Sequence, residues 1–216
     1  MNMDYKTIKT NDKLETIIKK SKFICHAYRI SSENEAKEII NTIKKEHYKA
    51  NHNCSAYTLG LKQEIQRFSD DGEPSGTAGI PMLEILKKLQ LVNCLVIVTR
   101  YFGGIKLGTG GLIRAYGNSV KDTINHIGIV ENHLLQEINI VIDYQLYNQL
   151  ENDAQLNHYQ LENLQFTDKV SADIFVRTNI ADSFIASLND RMNGKIKIQT
   201  GEKQYREVSC QPPIDK

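Results

Sequence analysis

A chain of 216 residues, 40% apolar and 25% charged, is long enough to bury one or two cores, which sets it apart from disordered and fibrous sequences. No apolar run approaches the roughly eighteen residues of a membrane span, and the opening MNMDYKTIKTNDKLETIIKK lacks the apolar centre of a secretory signal; a cytoplasmic protein without membrane contact is expected. Four scattered cysteines (Cys25, Cys54, Cys94, Cys210) without a Cys-x-x-Cys pair suit reduced thiols rather than a disulfide framework, and the net charge of +1 divides into +5 over residues 1–131 and −4 over residues 132–216. That asymmetry fits either solvated faces that happen to differ or a first half that meets an anion such as a phosphate backbone.

In chain order, Lys22 to Ile30 (KFICHAYRI) alternates and is rich in β-formers, which predicts a strand. Ser31 and Ser32 offer N-caps for a helix over Ser32 to His47, with Ala36, Ile39, Ile40 and Ile43 on one face. Two short strands follow, Cys54 to Leu61 and Ile65 to Phe68. A first glycine loop, SDDGEPSGTAG, leads into a helix at Ile80 and Pro81. Cys94 to Thr99 (CLVIVT) reads as a buried strand that delivers Arg100 and Tyr101 to its end. There the second loop, FGGIKLGTGG, begins, and Leu112 to Ile124 has the spacing of an amphipathic helix stopped by Gly128. Glu131 to His133 read as a short polar connection. The last third then predicts strand (Leu135 to Tyr144), helix (Gln145 to Asn157), strands (Gln160 to Val170, Ala172 to Thr178), helix (Ala181 to Met192) and strand (Lys195 to Val208), the βαββαβ order of a ferredoxin-like sheet.

Nine of the thirteen glycines lie between Gly72 and Gly117, which marks this stretch as the chemical centre of the chain. GTAG at 76–79 and GTGG at 108–111 (Gly108, Thr109, Gly110, Gly111) each place backbone amides at a helix start, where the helix dipole favours an anion. Neither is a Walker loop, and Ile113 stands where a dinucleotide fingerprint needs its third glycine. Tight turns that bring helices close to a sheet would use the same glycines. Arg100, Lys106 and Arg114 supply charge beside them, while Tyr101, Phe102 and Tyr116 supply flat surfaces for a base, or core. Asp70, Asp71 and Glu73 could act as acid and base or hold a metal; they fit equally well as caps, or as partners for Arg100 and Arg114. His52 and Cys54 share a strand face, but no second ligand pair completes a zinc site and nothing specifies an oxyanion hole. No catalytic residue, metal or cofactor is assigned.

At these same residues the sequence resembles the YigZ/IMPACT family. ANHNCSAYTLG, FSDDGEPSGTAGIPML and VTRYFGGIKLGTGGLIRAYG match that family's blocks over roughly residues 20–130. The positions that match include His52, Cys54, Ser69, Asp70, Asp71, Glu73, Ser75, Thr77, Arg100, Tyr101, Lys106, Thr109 and Arg114. The resemblance implies an N-terminal domain with the fold of the second domain of small-subunit ribosomal protein five, shared with elongation factor G and small-molecule kinases. It implies a C-terminal ferredoxin-like domain similar to a late domain of elongation factor G. The eukaryotic relative, IMPACT, regulates translation by competing for the activator of an amino-acid-starvation kinase, using an additional N-terminal domain. This chain begins within about twenty residues of the shared domain, so that module is expected to be absent and its mechanism is not carried over.

The expectation is thus an α+β protein of two domains, residues 1–131 and 132–210, with a frayed tail at 211–216. It is expected to bind RNA, a ribosome or a translation-associated protein and to regulate translation. In that reading Arg100, Lys106 and Arg114 neutralise phosphates, the amides of 108–111 donate, Tyr101 stacks, and the acidic loop orients the arginines. One alternative is a small enzyme that binds a phosphorylated metabolite or nucleotide through the loops, with Asp70 and Asp71 as base or magnesium ligands. Another is a protein-interaction module without a ligand. Oligomeric state is open.

Overall fold

The computed structural model describes residues 4–210; the expected frayed tail at 211–216 lies outside them. The chain forms two compact units, one of residues 5–132 with 207–210, the other of residues 133–206 with Asp4. The first contains β1 (Tyr5–Ile8), β2 (Asp12–Ile18), β3 (Ser21–Arg29), α1 (Glu33–Glu46), β4 (His52–Leu59), β5 (Ile65–Ser69), α2 (Gly79–Lys88), β6 (Cys94–Tyr101) and α3 (Thr109–Ile127).

The apolar run CLVIVT becomes β6, the middle strand of an antiparallel sheet ordered β2-β3-β6-β4-β5. Its side chains alternate between two cores. Cys94, Val96 and Val98 pack with Met82 and Leu86 of α2 and with Tyr116 and Val120 of α3. Leu95 and Ile97 pack on the other face with Ala36 and Ile43 of α1. A strand covered on both faces needs an apolar residue at every position, which is why no polar alternation marks it in the sequence. Ser32 caps α1 by accepting from the Glu35 N–H, and the Glu35 carboxylate reaches back to the Ser31 N–H and hydroxyl. At the far end of α3, Gly128 takes φ 86° and donates to the Ile124 carbonyl, the expected stop.

In the second unit β7 (Ile129–Ile142) leads through a 3-10 turn to α4 (Tyr147–Leu156), β8 (Glu162–Phe166), β9 (Val170–Arg177), α5 (Ala181–Arg191) and β10 (Lys197–Cys210). β10 lies beside β7, followed by β9 and β8, the strand order of a ferredoxin-like sheet. Ile138, Ile140 and Ile142 meet Leu150, Leu188 and Met192 in its core. The protein is therefore α+β, as expected.

One local expectation fails, and one segment without an assigned element proves to be strand. Residues 5–8 and 12–18 form β1 and β2; β2 is a half-exposed edge strand whose charged residues mask the alternation. The polar Glu131 to His133 are not a connection but part of β7, since Tyr5–Ile8 pair with 129–132 and so continue the ladder. Asn132 and His133 are accordingly buried.

His26 on β3 is 3% exposed, its Nε2 has no hydrogen-bond partner, and its ring lies 5.4 Å from that of His47. Burial, with His47 and Lys13 nearby, pushes its pKa down to about 4. Between pH 6.5 and 4 the unfolded chain therefore binds this proton and the folded chain does not, so stability falls as pH falls through that window. The expected loss by pH 4 is about 2–3 kcal/mol. Urea denaturation at pH 7 and pH 4.5 checks it, with a smaller pH dependence in His26→Gln as the expected result.

Candidate functional site

The two glycine loops treat their helix starts differently. In the first, the Asp70 carboxylate accepts from the backbone N–H groups of Gly76 (2.8 Å), Ala78 (3.0 Å) and Gly79 (2.8 Å). The amides of GTAG, expected to be free for a phosphate, are thus held by the chain's own anion, which satisfies the start of α2. Asp71, at φ 44°, accepts from the Asn53 N–H and from Lys44 Nζ, both at 2.6 Å. Thr77 is buried and donates its hydroxyl to the Pro74 carbonyl, whereas Ser75 is exposed. Asp70 and Asp71 act here as loop fasteners, the capping reading that the sequence also allows. Among the described residues no group of three His, Cys, Asp or Glu side chains is placed to hold a metal ion.

Glu73 is the buried centre of the site. Its Oε1 accepts from Arg100 Nη1 at 2.6 Å and from the Tyr116 hydroxyl at 2.8 Å. Arg100 is 5% exposed and lies 5.5 Å from the centres of both the Phe23 and Phe102 rings. It is therefore a floor residue of the site, held by the expected pairing with an acidic-loop carboxylate. Burial beside Cys54 and Glu73 drives the Tyr116 hydroxyl far above its ordinary pKa. Burial likewise pushes the Cys54 thiol up to about 12, and the thiol donates to the Asp70 carbonyl, both of which disfavour a thiolate. Tyr101 is also corrected as a stacking surface: it is half-buried, its hydroxyl pairs with His47 Nδ1 at 2.9 Å, and Lys22 Nζ covers its ring at 5.8 Å. Phe102, left open as core or surface, is 45% exposed.

The second loop is left open. Gly108 precedes α3 at φ 74°, no side chain caps the helix, and a Cβ built on Gly108 or Gly110 would meet nothing within 4 Å. Among the described residues the N–H groups of Thr109, Gly110 and Gly111 have no side-chain acceptor. Gly103 has a different task, since a Cβ there would lie 1.9 Å from the Lys20 carbonyl oxygen; only glycine lets this loop lie against the turn between β2 and β3. In front of α3 lies a cavity of about 410 Å³ to which both loops contribute: Glu73 and Pro74 from the first, and Lys106 to Thr109 from the second. Arg100, Phe102 and His52 complete it, together with Asn51 and Leu112. Lys106 is exposed at its rim. Arg114 is exposed on α3 but does not line the cavity.

Asn51 escapes sequence reasoning. Its Oδ1 accepts from the Phe102 N–H at 2.8 Å and so fixes the second loop. Only strand register reveals it: His52 pairs with Arg100, which brings the head of β4 beside the tail of β6. His52 Nδ1 lies 2.9 Å from the Asp71 carbonyl oxygen. A carbonyl only accepts, so Nδ1 carries the proton and Nε2 faces Glu73 Oε2 at 3.8 Å.

The model of the Impact N-terminal domain matches residues 19–124, and that of a domain of unknown function (DUF1949) matches residues 140–195. The IMPACT family member YvyE of Bacillus subtilis is 46% identical over 203 residues, covering 94% of each chain. An IMPACT family member of Haemophilus influenzae is 36% identical over 190 residues, covering 86% of this chain and 91% of the relative. A crystal structure of a hypothetical protein shares the fold with a TM-score of 0.59 and 29% identity, over 94% of this chain and 98% of the other.

Proposed function

Because the chain belongs to the IMPACT family, we propose that it regulates translation by binding RNA through the face around the start of α3. The observation that carries this reading is the contrast between the two loops. Asp70 fills the start of α2, whereas nothing in the described chain fills the start of α3. An uncapped helix start attracts phosphate through both its amides and its dipole. Lys106 and Arg114 are exposed and engaged by no carboxylate among the described residues, and Phe102 offers a ring on which a base can stack. The excess of positive charge over residues 1–131 favours the same partner. No helix among the described residues is long and apolar enough to cross a membrane.

Salt dependence tests this reading. Association with a single-stranded oligoribonucleotide should weaken as salt rises, and Lys106→Ala/Arg114→Ala should reduce the slope of log K against log salt by about 1.4, two phosphate contacts at roughly 0.7 each. An unchanged slope in the double variant rules out this face, and no RNA association at low salt rules out the reading.

A further inference from the structure

The cavity has a more selective lining than a phosphate chain requires. Its floor is deep, with Arg100 and Glu73 both more than nine-tenths buried, and its volume of about 410 Å³ lies in the range of small-molecule sites. Cationic groups and acceptors meet in it. The open amides of α3 and Lys106 suit an anion with several terminal oxygens. Arg100 Nε is buried without a hydrogen-bond partner, so the guanidinium is not saturated by Glu73. On the same floor, the Glu73 Oε2 acceptor and His52 Nε2 lie 3.8 Å apart, and no hydrogen bond among the described residues occupies either. The phosphodiesters of a nucleic-acid backbone have no donor for the Glu73 carboxylate. A ribose diol does: its two adjacent hydroxyls, each able to donate and to accept, can take Glu73 Oε2 and His52 Nε2. Phe102, stacked over the Arg100 guanidinium at the rim, then offers an apolar face to a base.

We propose that this cavity is a site for a 5′-phosphorylated ribonucleoside, with the phosphate on the α3 amides and Lys106, the ribose hydroxyls on His52 and Glu73, and the base against Phe102. The proposal rests on the preceding reading for its anion site and narrows the ligand to one chemical unit, which a free nucleotide or the 5′ end of an RNA can present.

Calorimetric titration of the full chain with 5′-AMP, adenosine, 2′-deoxy-AMP and inorganic phosphate tests the unit. The expected order is 5′-AMP tightest, with each of the others at least tenfold weaker. Lys106→Glu, a surface change that leaves the core intact, should weaken 5′-AMP at least tenfold. Adenosine equal to 5′-AMP overturns the phosphate assignment, 2′-deoxy-AMP equal to 5′-AMP overturns the ribose assignment, and absence of 5′-AMP binding at millimolar concentration overturns the site. A short oligoribonucleotide with a 5′-phosphate, compared with its 5′-hydroxyl form, separates the two sources. Preference for the phosphorylated form assigns the site to RNA ends, while 5′-AMP binding without either oligomer supports the cavity and refutes RNA recognition. Salt-dependent binding of both oligomers alike, without 5′-AMP binding, leaves the RNA reading intact and refutes this proposal.

Discussion

Replacing Glu73 with alanine is expected to destabilise the protein by about 3–5 kcal/mol, the scale of a buried ion pair that loses one partner. The Glu73 and Arg100 side chains are 3% and 6% exposed and meet at 2.6 Å. The attraction between them offsets two desolvation penalties, so removal of the carboxylate leaves a guanidinium between the Phe23 and Phe102 rings with no carboxylate to balance it. The Tyr116 hydroxyl loses its acceptor in the same step. Two controls separate charge from shape. Glu73→Gln keeps an acceptor and should cost less than Glu73→Ala. Glu73→Ala/Arg100→Met removes both charges and should be more stable than Glu73→Ala alone, because apolar replacement of a buried pair is often neutral. Urea midpoints at unchanged m-value measure all three. A loss under about 1 kcal/mol in Glu73→Ala would mean that the pair is solvated and that the cavity floor is not as described.

Asp70→Ala should cost about 2–4 kcal/mol, since it removes a charged N-terminal cap that takes three backbone amides at once. The variant carries a second signature. With the internal carboxylate gone, the start of α2 becomes a vacant anion site, and sulfate or phosphate in solution should restore part of the lost stability. The thermal midpoint of Asp70→Ala should therefore rise with added phosphate by more than the general salt effect measured in Asp70→Ala/Gly79→Pro, where an amide is deleted. An equal rise in both would show that Asp70 does not act through those amides.

The sequence and the structure agree most closely where burial alone decides. CLVIVT had to be a strand covered on two faces, and the alternation of the last third had to give a ferredoxin-like sheet, because apolar spacing records the core directly. The site was legible in part. Clustered glycines identified both loops and their helix starts, but spacing cannot tell an occupied start from an open one. That distinction rests on Asp70, six to nine residues away from the amides it accepts from. The sequence pairs Arg100 with the acidic loop but does not say which carboxylate takes it; Glu73, 27 positions earlier in the chain, draws it inward. The strands β1 and β2 were hidden for a different reason, since an edge strand with one solvated side has little apolar content to display. The part played by Asn51 depends on strand register, which local sequence does not encode.

Backbone amide shifts test the central claim most directly: of the two glycine loops, only the second has a helix start open to an anion. In a nitrogen-15 spectrum titrated with 5′-AMP or phosphate, the amide signals of Thr109, Gly110 and Gly111 should move in a saturable way, while those of Gly76, Ala78 and Gly79 stay in place. Movement of the 76–79 signals instead, or a still spectrum at millimolar ligand, would contradict the account.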